Sequence, residues 1–425
     1  MSLRTRLFTD GLYTFGTRIG TMVLAAALGA LTARVLGAHE RGLYLTPIVF
    51  AGVVVAGFTG LSSATSYFML RRGAGRAITR AALLTTLLFL MPAGVVAWIL
   101  AWIGHALWAV PAALISLPGP AALMIATGYT TGTHRVRLAA AFGAASTGMN
   151  LAVIGTAFAL GARSAHGAIV AWLIATNLMA VWIAIWIARD ARGLPAGKVS
   201  VGAFAAYAAR SGLVGLVTLL NYRSDVYLVA VLGTPTMLGM YTLAVSAAEA
   251  LLATTQVTAV VTAPHVGSLE ERAAAALAAR AVRHNVLIAG ICCLGLAAIA
   301  PIAVGMLYGG AFLPVVPAMR ILLVGVFALS LGSPMSTYFT IRLGRPEVPL
   351  VLASASALLC IVGSLVMIPR LGLAGAALAS TVAYIAGQGA AIAYFASQAK
   401  IGVGSMLLPR RSDLATYVNV VAEML

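Results

Sequence analysis

Twelve apolar runs follow one another through this chain with only short links between them. They span roughly 8–33, 43–70, 81–104, 107–129, 138–161, 166–188, 204–232, 236–263, 285–308, 315–341, 348–368 and 373–397. About 20 apolar residues carry a helix across the hydrocarbon core of a bilayer. In lipid, a helix satisfies its own backbone donors and acceptors, which an open strand does not. The pattern therefore predicts an all-α polytopic membrane protein with twelve transmembrane helices. Composition agrees, with 61% of the 425 residues hydrophobic and 9% charged. The runs are continuous, unlike the weak alternation of an outer-membrane barrel. No link is long enough to hold a folded soluble domain. The first run, behind Arg4 and Arg6, is too long for a signal-peptide core and reads as an uncleaved first helix.

The net charge of +17 would suit a nucleic-acid binder, but the basic residues fall between apolar runs. Cytoplasmic loops of membrane proteins collect Lys and Arg. With the N-terminus placed inside, 19 of the 27 Lys and Arg fall on inner segments and 4 on outer ones, Arg34, Arg41, Arg163 and Arg370. That asymmetry predicts both termini in the cytoplasm and no nucleic-acid partner. The three cysteines, Cys292, Cys293 and Cys360, lie in apolar runs and suggest neither a disulfide framework nor a metal site.

The chain also repeats. Run 1 leads into Leu36-Gly37 and then Gly42-Leu43-Tyr44. Run 7 leads into Leu232-Gly233 and then Gly239-Met240-Tyr241. Six runs separate the copies, so both have the same orientation. This predicts two pseudo-symmetric six-helix lobes related by an axis along the membrane normal. The expected organisation is an N-terminal lobe over 1–188, a cytoplasmic connector over 189–203, a C-terminal lobe over 204–398 and a cytoplasmic tail over 399–425. Ser412 opens a stretch of the tail patterned as a short interfacial helix.

Six charged residues fall inside the runs: Arg18, Arg210, Arg223, Asp225, Glu249 and Arg320. A charge at bilayer depth costs from about 2.5 kcal/mol upwards and persists where it faces a polar cavity or a partner. Arg210 and Arg320 lie near run ends, where a long side chain can reach the interface. Arg18, Arg223, Asp225 and Glu249 lie deeper. Arg223 and Asp225 are two apart, so on a helix they point in nearly opposite directions. Run 8 folds back beside run 7, which brings Glu249 within reach of Arg223. Two readings of the arginines stand. Either Arg223 pairs structurally with Glu249, or Arg18 and Arg223, in equivalent first helices of the two lobes, line a shared cavity that attracts an anion.

Hydroxyls cluster at Ser62, Ser63, Thr65, Ser66 and Tyr67, at Thr254 and Thr255 beside Gln256, and at Ser333, Ser336, Thr337 and Tyr338 around Pro334. Such groups satisfy their own helix backbone or join helices, and together they also suit a hydrated cavity. The sequence contains no Gly-x-x-x-x-Gly-Lys-Ser/Thr phosphate loop, no Cys/His metal spacing and no Ser/His/Asp set. His39-Glu40-Arg41 reads as a solvated charge cluster on an outer turn. No cofactor is expected. Energy must come from an ion gradient, a substrate gradient or a partner.

The order of short motifs resembles bacterial polysaccharide flippases of the Wzx type, in the multidrug/oligosaccharidyl-lipid/polysaccharide (MOP) exporter superfamily. The resemblance rests on Ala33-Arg34-Val35-Leu36-Gly37 through Tyr44 and on Asn221-Tyr222-Arg223-Ser224-Asp225 through Tyr241. It continues in Leu307-Tyr308-Gly309, Phe312-Leu313-Pro314, Arg320-Ile321-Leu322 and Gly344-Arg345-Pro346, and ends in Ile368-Pro369-Arg370-Leu371-Gly372-Leu373-Ala374-Gly375-Ala376-Ala377. It covers nearly the whole chain in order. It implies two lobes of the MOP/MATE type opening alternately to each side of a bacterial cytoplasmic membrane. The implied cargo is undecaprenyl-diphosphate-linked oligosaccharide, moved from the inner to the outer leaflet for O-antigen, capsule or exopolysaccharide assembly. A polysaccharide polymerase and a chain-length regulator are the implied partners, besides membrane lipids. Arg18 and Arg223 match the cavity arginines that hold the diphosphate and sugar, with Arg210 and Arg320 behind them. Arg suits that role because its forked donors fit phosphate oxygens. Asp225 or Glu249 would take up H+ or Na+ if transport is ion-coupled.

Other readings compete. A multidrug antiporter is expected to carry a deep acid in run 1, which here holds Arg18 and no acid after Asp10. A lipid II flippase commonly has fourteen spans against the twelve runs here. A membrane polymerase, ligase or glycosyltransferase would need a sizeable outer loop with catalytic acids or bases, and these loops hold little besides Glu40. The chain is therefore read as a transporter and not an enzyme.

Overall fold

The computed structural model of the protein describes residues 3–72, 75–194 and 197–408. The expected tail helix after Ser412 lies outside the described residues. Among the described residues the secondary structure is helical throughout, without a strand.

Among the described residues ten helices are long and apolar enough to cross a membrane. Two of them are double length, Tyr13–Arg71 with 59 residues and Glu347–Ala399 with 53. At about 1.5 Å per residue, the shorter is about 80 Å long, against a hydrocarbon core of about 30 Å. Each is broken by one glycine. Gly37 has φ 71° and ψ 179°, and Gly372 has φ 57° and ψ −130°. Positive φ is cheap only for glycine, so these residues reverse the chain where another would continue the helix. Counting each long helix as two gives twelve crossings, in two six-helix halves, as the sequence predicts.

The crossings are α1 (3–36), α2 (38–72), α3 (Gly75–Ile103), α4 (Leu107–Gly132), α5 (Val136–Ala159) and α6 (Ala165–Asp190). They continue with α7 (Val201–Leu232), α8 (Pro235–Ser268), α9 (Glu271–Tyr308), α10 (Gly310–Arg342), α11 (347–371) and α12 (373–399). A short α13 (Val403–Leu407) follows. Helix α9 begins at Glu271, ahead of the apolar run at 285–308, so most of the Arg-bearing link before that run is helical. That segment is rich in alanine, the best helix former, and it buries Ala274, Ala275, Ala278, Ala279 and Val282. Arg283 is buried with them and donates to the Ser405 carbonyl at 2.9 Å.

Close contacts divide the chain into two compact units. The first contains 1–220 and 230–239, the second 221–229 and 240–425.

In the first unit α2 is the central element. It packs on α4 where Gly128 admits Ser62 and Thr65, and Ser66 donates to the Gly128 carbonyl at 3.0 Å. Phe50, Phe58, Leu61, Leu117 and Tyr129 fill the core. Two further sets of close contacts tie α2 to segments from later in the sequence. Gly60 lies on the Ala208 carbonyl and Gly212 on the Gly57 carbonyl, with Tyr67 stacked on Tyr207 at 4.6 Å between centroids. At the other end of α2, Gly42 lies on the Pro235 carbonyl and Gly239 on the Ala38 carbonyl. Small residues let helices approach this closely in a membrane, where packing and not hydrophobicity drives association.

In the second unit α9, α10 and α12 form the core. Asn285 is fully buried. It donates to the Ser330 carbonyl at 2.8 Å and accepts from Thr258 at 2.7 Å. Thr381 on α12 donates to the Ile321 carbonyl of α10 at 2.8 Å. Tyr338, Phe339, Tyr394 and Phe395 pack edge to face or tilted around a π-helical turn, Tyr338–Arg342, at the end of α10. The α5–α6 and α11–α12 turns, six crossings apart, both use a positive-φ glycine, Gly161 and Gly372.

Candidate functional site

Residues 221–229 of α7 carry two charged and several polar side chains, and the helix sorts them by face. Asn221, Ser224 and Asp225 are spaced i, i+3 and i+4, which puts them on one side. All three are buried, Asp225 at 1% exposure. Tyr222 and Arg223 are exposed.

Three donors reach the Asp225 carboxylate. Oδ2 accepts from Tyr241 OH at 2.6 Å and from Ser380 Oγ at 2.8 Å, and Oδ1 accepts from the Val226 amide at 2.8 Å. The site is thus assembled from α7, α8 and α12. Ser380 Oγ also lies 3.6 Å from Cys360 Sγ on α11, and Tyr384 OH donates to the Tyr222 carbonyl at 3.2 Å. The Ser224 Oγ and Asn221 Oδ1 atoms are buried without a hydrogen-bond partner among the described residues. No cation bonds Asp225 among the described residues. A buried carboxylate satisfied by hydroxyl donors is held in place, and its donors can turn away if a proton or cation arrives.

Arg223 Nη2 lies 2.6 Å from Glu249 Oε2, with side-chain exposures of 47% and 34%. The pair anticipated from the fold-back of α8 is therefore formed, and it remains accessible. Arg18 on α1 and Arg210 on α7 are exposed in the first unit. Arg320 is exposed on α10 in the second unit, and its Nε donates to the Ala297 carbonyl of α9 at 2.9 Å. Within the second unit, then, the structure pairs Arg223 with Glu249 and, on the buried side of α7, Asp225 with Tyr241 and Ser380.

Sequence reasoning missed Tyr241 and Ser380. Tyr241 carried a signal, as the tyrosine of the second Gly-x-Tyr copy. Ser380 carried none. Sequence reasoning also missed a cluster at the α4–α6 end, where Asp190 accepts from Tyr129 OH and from Arg135 Nη1, each at 2.7 Å. That hydrogen bond raises the Arg135 guanidinium above its ordinary pKa.

Two other readings change. Arg41 is not a solvated turn residue. It is buried at 4% exposure and donates to the Gly239 carbonyl. Glu40 accepts from the Ala165 amide at 2.7 Å, where Ser164 also caps α6, a favourable place for an anion at a helix N-terminus. Several of the clustered hydroxyls satisfy their own helices. Thr65 donates to the Leu61 carbonyl, Thr254 to Leu251, Thr255 to Leu252 and Thr337 to Ser333. Among the described residues no three His, Cys, Asp or Glu side chains are placed to hold a metal ion, and the three cysteines are free.

No protein-family model matches the sequence. No curated protein matches it either. Solved structures do. The inward-facing conformation of a multidrug resistance MATE family transporter of the MOP superfamily aligns with a TM-score of 0.70 at 15% identity, covering 89% of this chain and 94% of that one. The lipid II flippase MurJ in an inward closed conformation aligns at 0.73 and 15% identity, covering 94% of this chain and 89% of that one. A MOP superfamily transporter from Pyrococcus furiosus, described as having a binding pocket of reversed polarity that suggests a different function, aligns at 0.51 and 17% identity over 92% and 93% of the two chains. The chain is a multi-pass membrane protein with the twelve-helix fold of MOP superfamily transporters.

Proposed function

We propose that this protein is a flippase that carries an undecaprenyl-diphosphate-linked oligosaccharide from the inner to the outer leaflet of a bacterial cytoplasmic membrane by alternating access. The observation that carries the proposal is Arg223, a half-exposed guanidinium within a helix long and apolar enough to cross a membrane, in a chain of this fold. An exposed arginine there suits an anionic cargo, because a diphosphate accepts its forked, charge-assisted hydrogen bonds. Arg18 on α1 and Arg223 on α7 are the proposed contacts to the diphosphate, with Arg210 and Arg320 as secondary ones. The lipid tail stays in the bilayer, so only the headgroup needs a polar path. Asp225 is the proposed coupling site for H+ or Na+, since its hydroxyl donors can reorient around a bound cation. Both termini are proposed to lie in the cytoplasm, and a polysaccharide polymerase and chain-length regulator are proposed partners.

A lipid II flippase is the second reading, favoured by the match to MurJ, because lipid II also presents a diphosphate to the same arginines. A multidrug antiporter fits less well, because α1 carries Arg18 and no acid after Asp10. The deciding experiment reconstitutes the full chain in proteoliposomes and follows leaflet exchange of undecaprenyl-diphosphate oligosaccharide and of lipid II, with and without an ion gradient. Exchange of the oligosaccharide lipid is expected. Exchange of lipid II alone would favour the second reading, and exchange of neither would overturn both.

A further inference from the structure

The Arg223–Glu249 pair raises a question that the proposed cargo alone does not answer. A cargo-binding arginine that already holds a carboxylate at 2.6 Å has to give up that partner before it can hold a phosphate. We propose that Glu249 is an internal stand-in for the cargo anion: it occupies Arg223 when no diphosphate is present and is displaced when one binds. The inference rests on the reading of Arg223 as a diphosphate contact.

Three observations carry it. First, the pair is accessible. Arg223 is 47% and Glu249 34% exposed, so a ligand can reach the guanidinium without unpacking the helix. Second, Arg223 is only partly used. Its Nη2 bonds Glu249, and no other hydrogen bond to its side chain is present among the described residues. Nη1 and Nε therefore remain to receive a second oxygen. Third, the neighbouring acid is not a rival. Asp225 is buried on the opposite side of α7 and committed to Tyr241 and Ser380. Glu249 is thus the anion that competes for this arginine.

Charge decides the direction of the competition. Glu249 brings one negative charge through one oxygen. A diphosphate brings at least two charges and several oxygens, and bidentate contacts to Arg are the strong ones. An exposed carboxylate–guanidinium pair is weak, so it prevents Arg223 from standing unpaired in the membrane without blocking the cargo. Glu249 then sets affinity. A chain without it would hold the diphosphate longer, which speeds loading and slows release.

The test measures binding of undecaprenyl diphosphate to the full chain in nanodiscs, beside inorganic pyrophosphate as the lipid-free headgroup. Glu249→Gln removes the competing charge at nearly constant shape. It is expected to bind undecaprenyl diphosphate about fivefold tighter, the factor that corresponds to the upper end of an exposed ion pair. Glu249→Asp draws the carboxylate back and is expected to fall between Glu249→Gln and the wild type, which keeps the test open if the glutamine variant does not fold. Arg223→Ala is expected to weaken binding at least tenfold. If Arg223→Ala weakens binding while Glu249→Gln and Glu249→Asp bind no tighter than wild type, Glu249 is not a stand-in and the arginine site survives. If Arg223→Ala binds as wild type does, the arginine site itself is wrong. Parallel gains with pyrophosphate place the competition at the headgroup. A gain confined to the lipid would overturn competition for the diphosphate.

Discussion

Gly42 and Gly239 meet each other's helix in the same way. A Cβ on Gly42 would run into the carbonyl of Pro235, and a Cβ on Gly239 would run into the carbonyl of Ala38. Pro235 lies four residues before Gly239, and Ala38 lies four residues before Gly42. Each copy of the Gly-x-Tyr motif thus packs on the same turn of the other copy, as in a two-fold contact between identical subunits. The repeat is therefore a packing device as well as a trace of internal duplication. Neither carbonyl can move without dragging its helix. Gly42→Ala and Gly239→Ala are each expected to cost about 1–3 kcal/mol by overpacking. Thermal melting of the full chain in detergent measures this, and Gly57→Ser or Gly143→Ala serves to calibrate it. Nothing lies within 4 Å of the Cβ that either residue lacks, and Gly143 is the cleaner control because the Gly57 carbonyl itself meets Gly212.

Arg41 ties the same junction. Its guanidinium donates to the Gly239 carbonyl and lies 3.4 Å from Thr32 Oγ1 on α1. Hydrogen bonds to charged groups contribute about 1.5–3 kcal/mol, so Arg41→Ala is expected to destabilise the chain by about that amount. Arg41→Lys keeps the charge but loses the planar fork that reaches two acceptors, and is expected to recover less than half of the loss. Full stability in Arg41→Ala would show that the tie contributes nothing.

How far the sequence reveals this molecule depends on which force each feature answers to. The twelve crossings are legible because the bilayer demands a long apolar run from each. Gly37 and Gly372 are legible as breaks because they sit between paired runs. The first turns of α9 are hidden from hydropathy, since Arg272, Arg280 and Arg283 interrupt the apolar pattern. Only their alanine content marks a helix. Arg41 misleads because His39 and Glu40 give it the look of a solvated turn, and its burial depends on a carbonyl 198 residues away. Glu249 was legible as a partner for Arg223 because α7 and α8 are consecutive and fold back on each other. Ser380 was not legible as a partner for Asp225, since 155 residues separate them and nothing distinguishes that serine from its neighbours.

Asp225 gives a prediction that separates structure from coupling. Asp225→Ala strands the hydroxyls of Tyr241 and Ser380 in a buried site, and unsatisfied buried groups cost about 1–3 kcal/mol each. Asp225→Asn keeps an oxygen for both donors and is expected to melt much closer to wild type. If Asp225 also carries the coupling ion, Asp225→Asn loses the acceleration of leaflet exchange by an ion gradient while keeping its fold. An Asp225→Asn variant that melts normally and still responds to the gradient would assign Asp225 a structural role alone.

The arginines give the last prediction, and it turns on comparing positions. If Arg18 and Arg223 contact the diphosphate, the double replacement Arg18→Ala, Arg223→Ala removes two charge-assisted contacts. At about 1.5–3 kcal/mol each, the pair is worth at least a hundredfold in cargo affinity. Leaflet exchange in proteoliposomes is expected to fall below detection. Arg210→Ala and Arg320→Ala are expected to lose less than tenfold. Arg320 already has the Ala297 carbonyl as a partner, and both residues lie near the ends of their crossings, where a long side chain reaches the interface. Replacing Arg223 by Lys is informative in its own right. It keeps the charge but offers a point donor where a diphosphate favours a fork, so partial exchange is expected, with a raised requirement for substrate. Normal exchange in the Arg18, Arg223 double variant would sink the assignment, because no cargo that depends on these two cations would tolerate losing both.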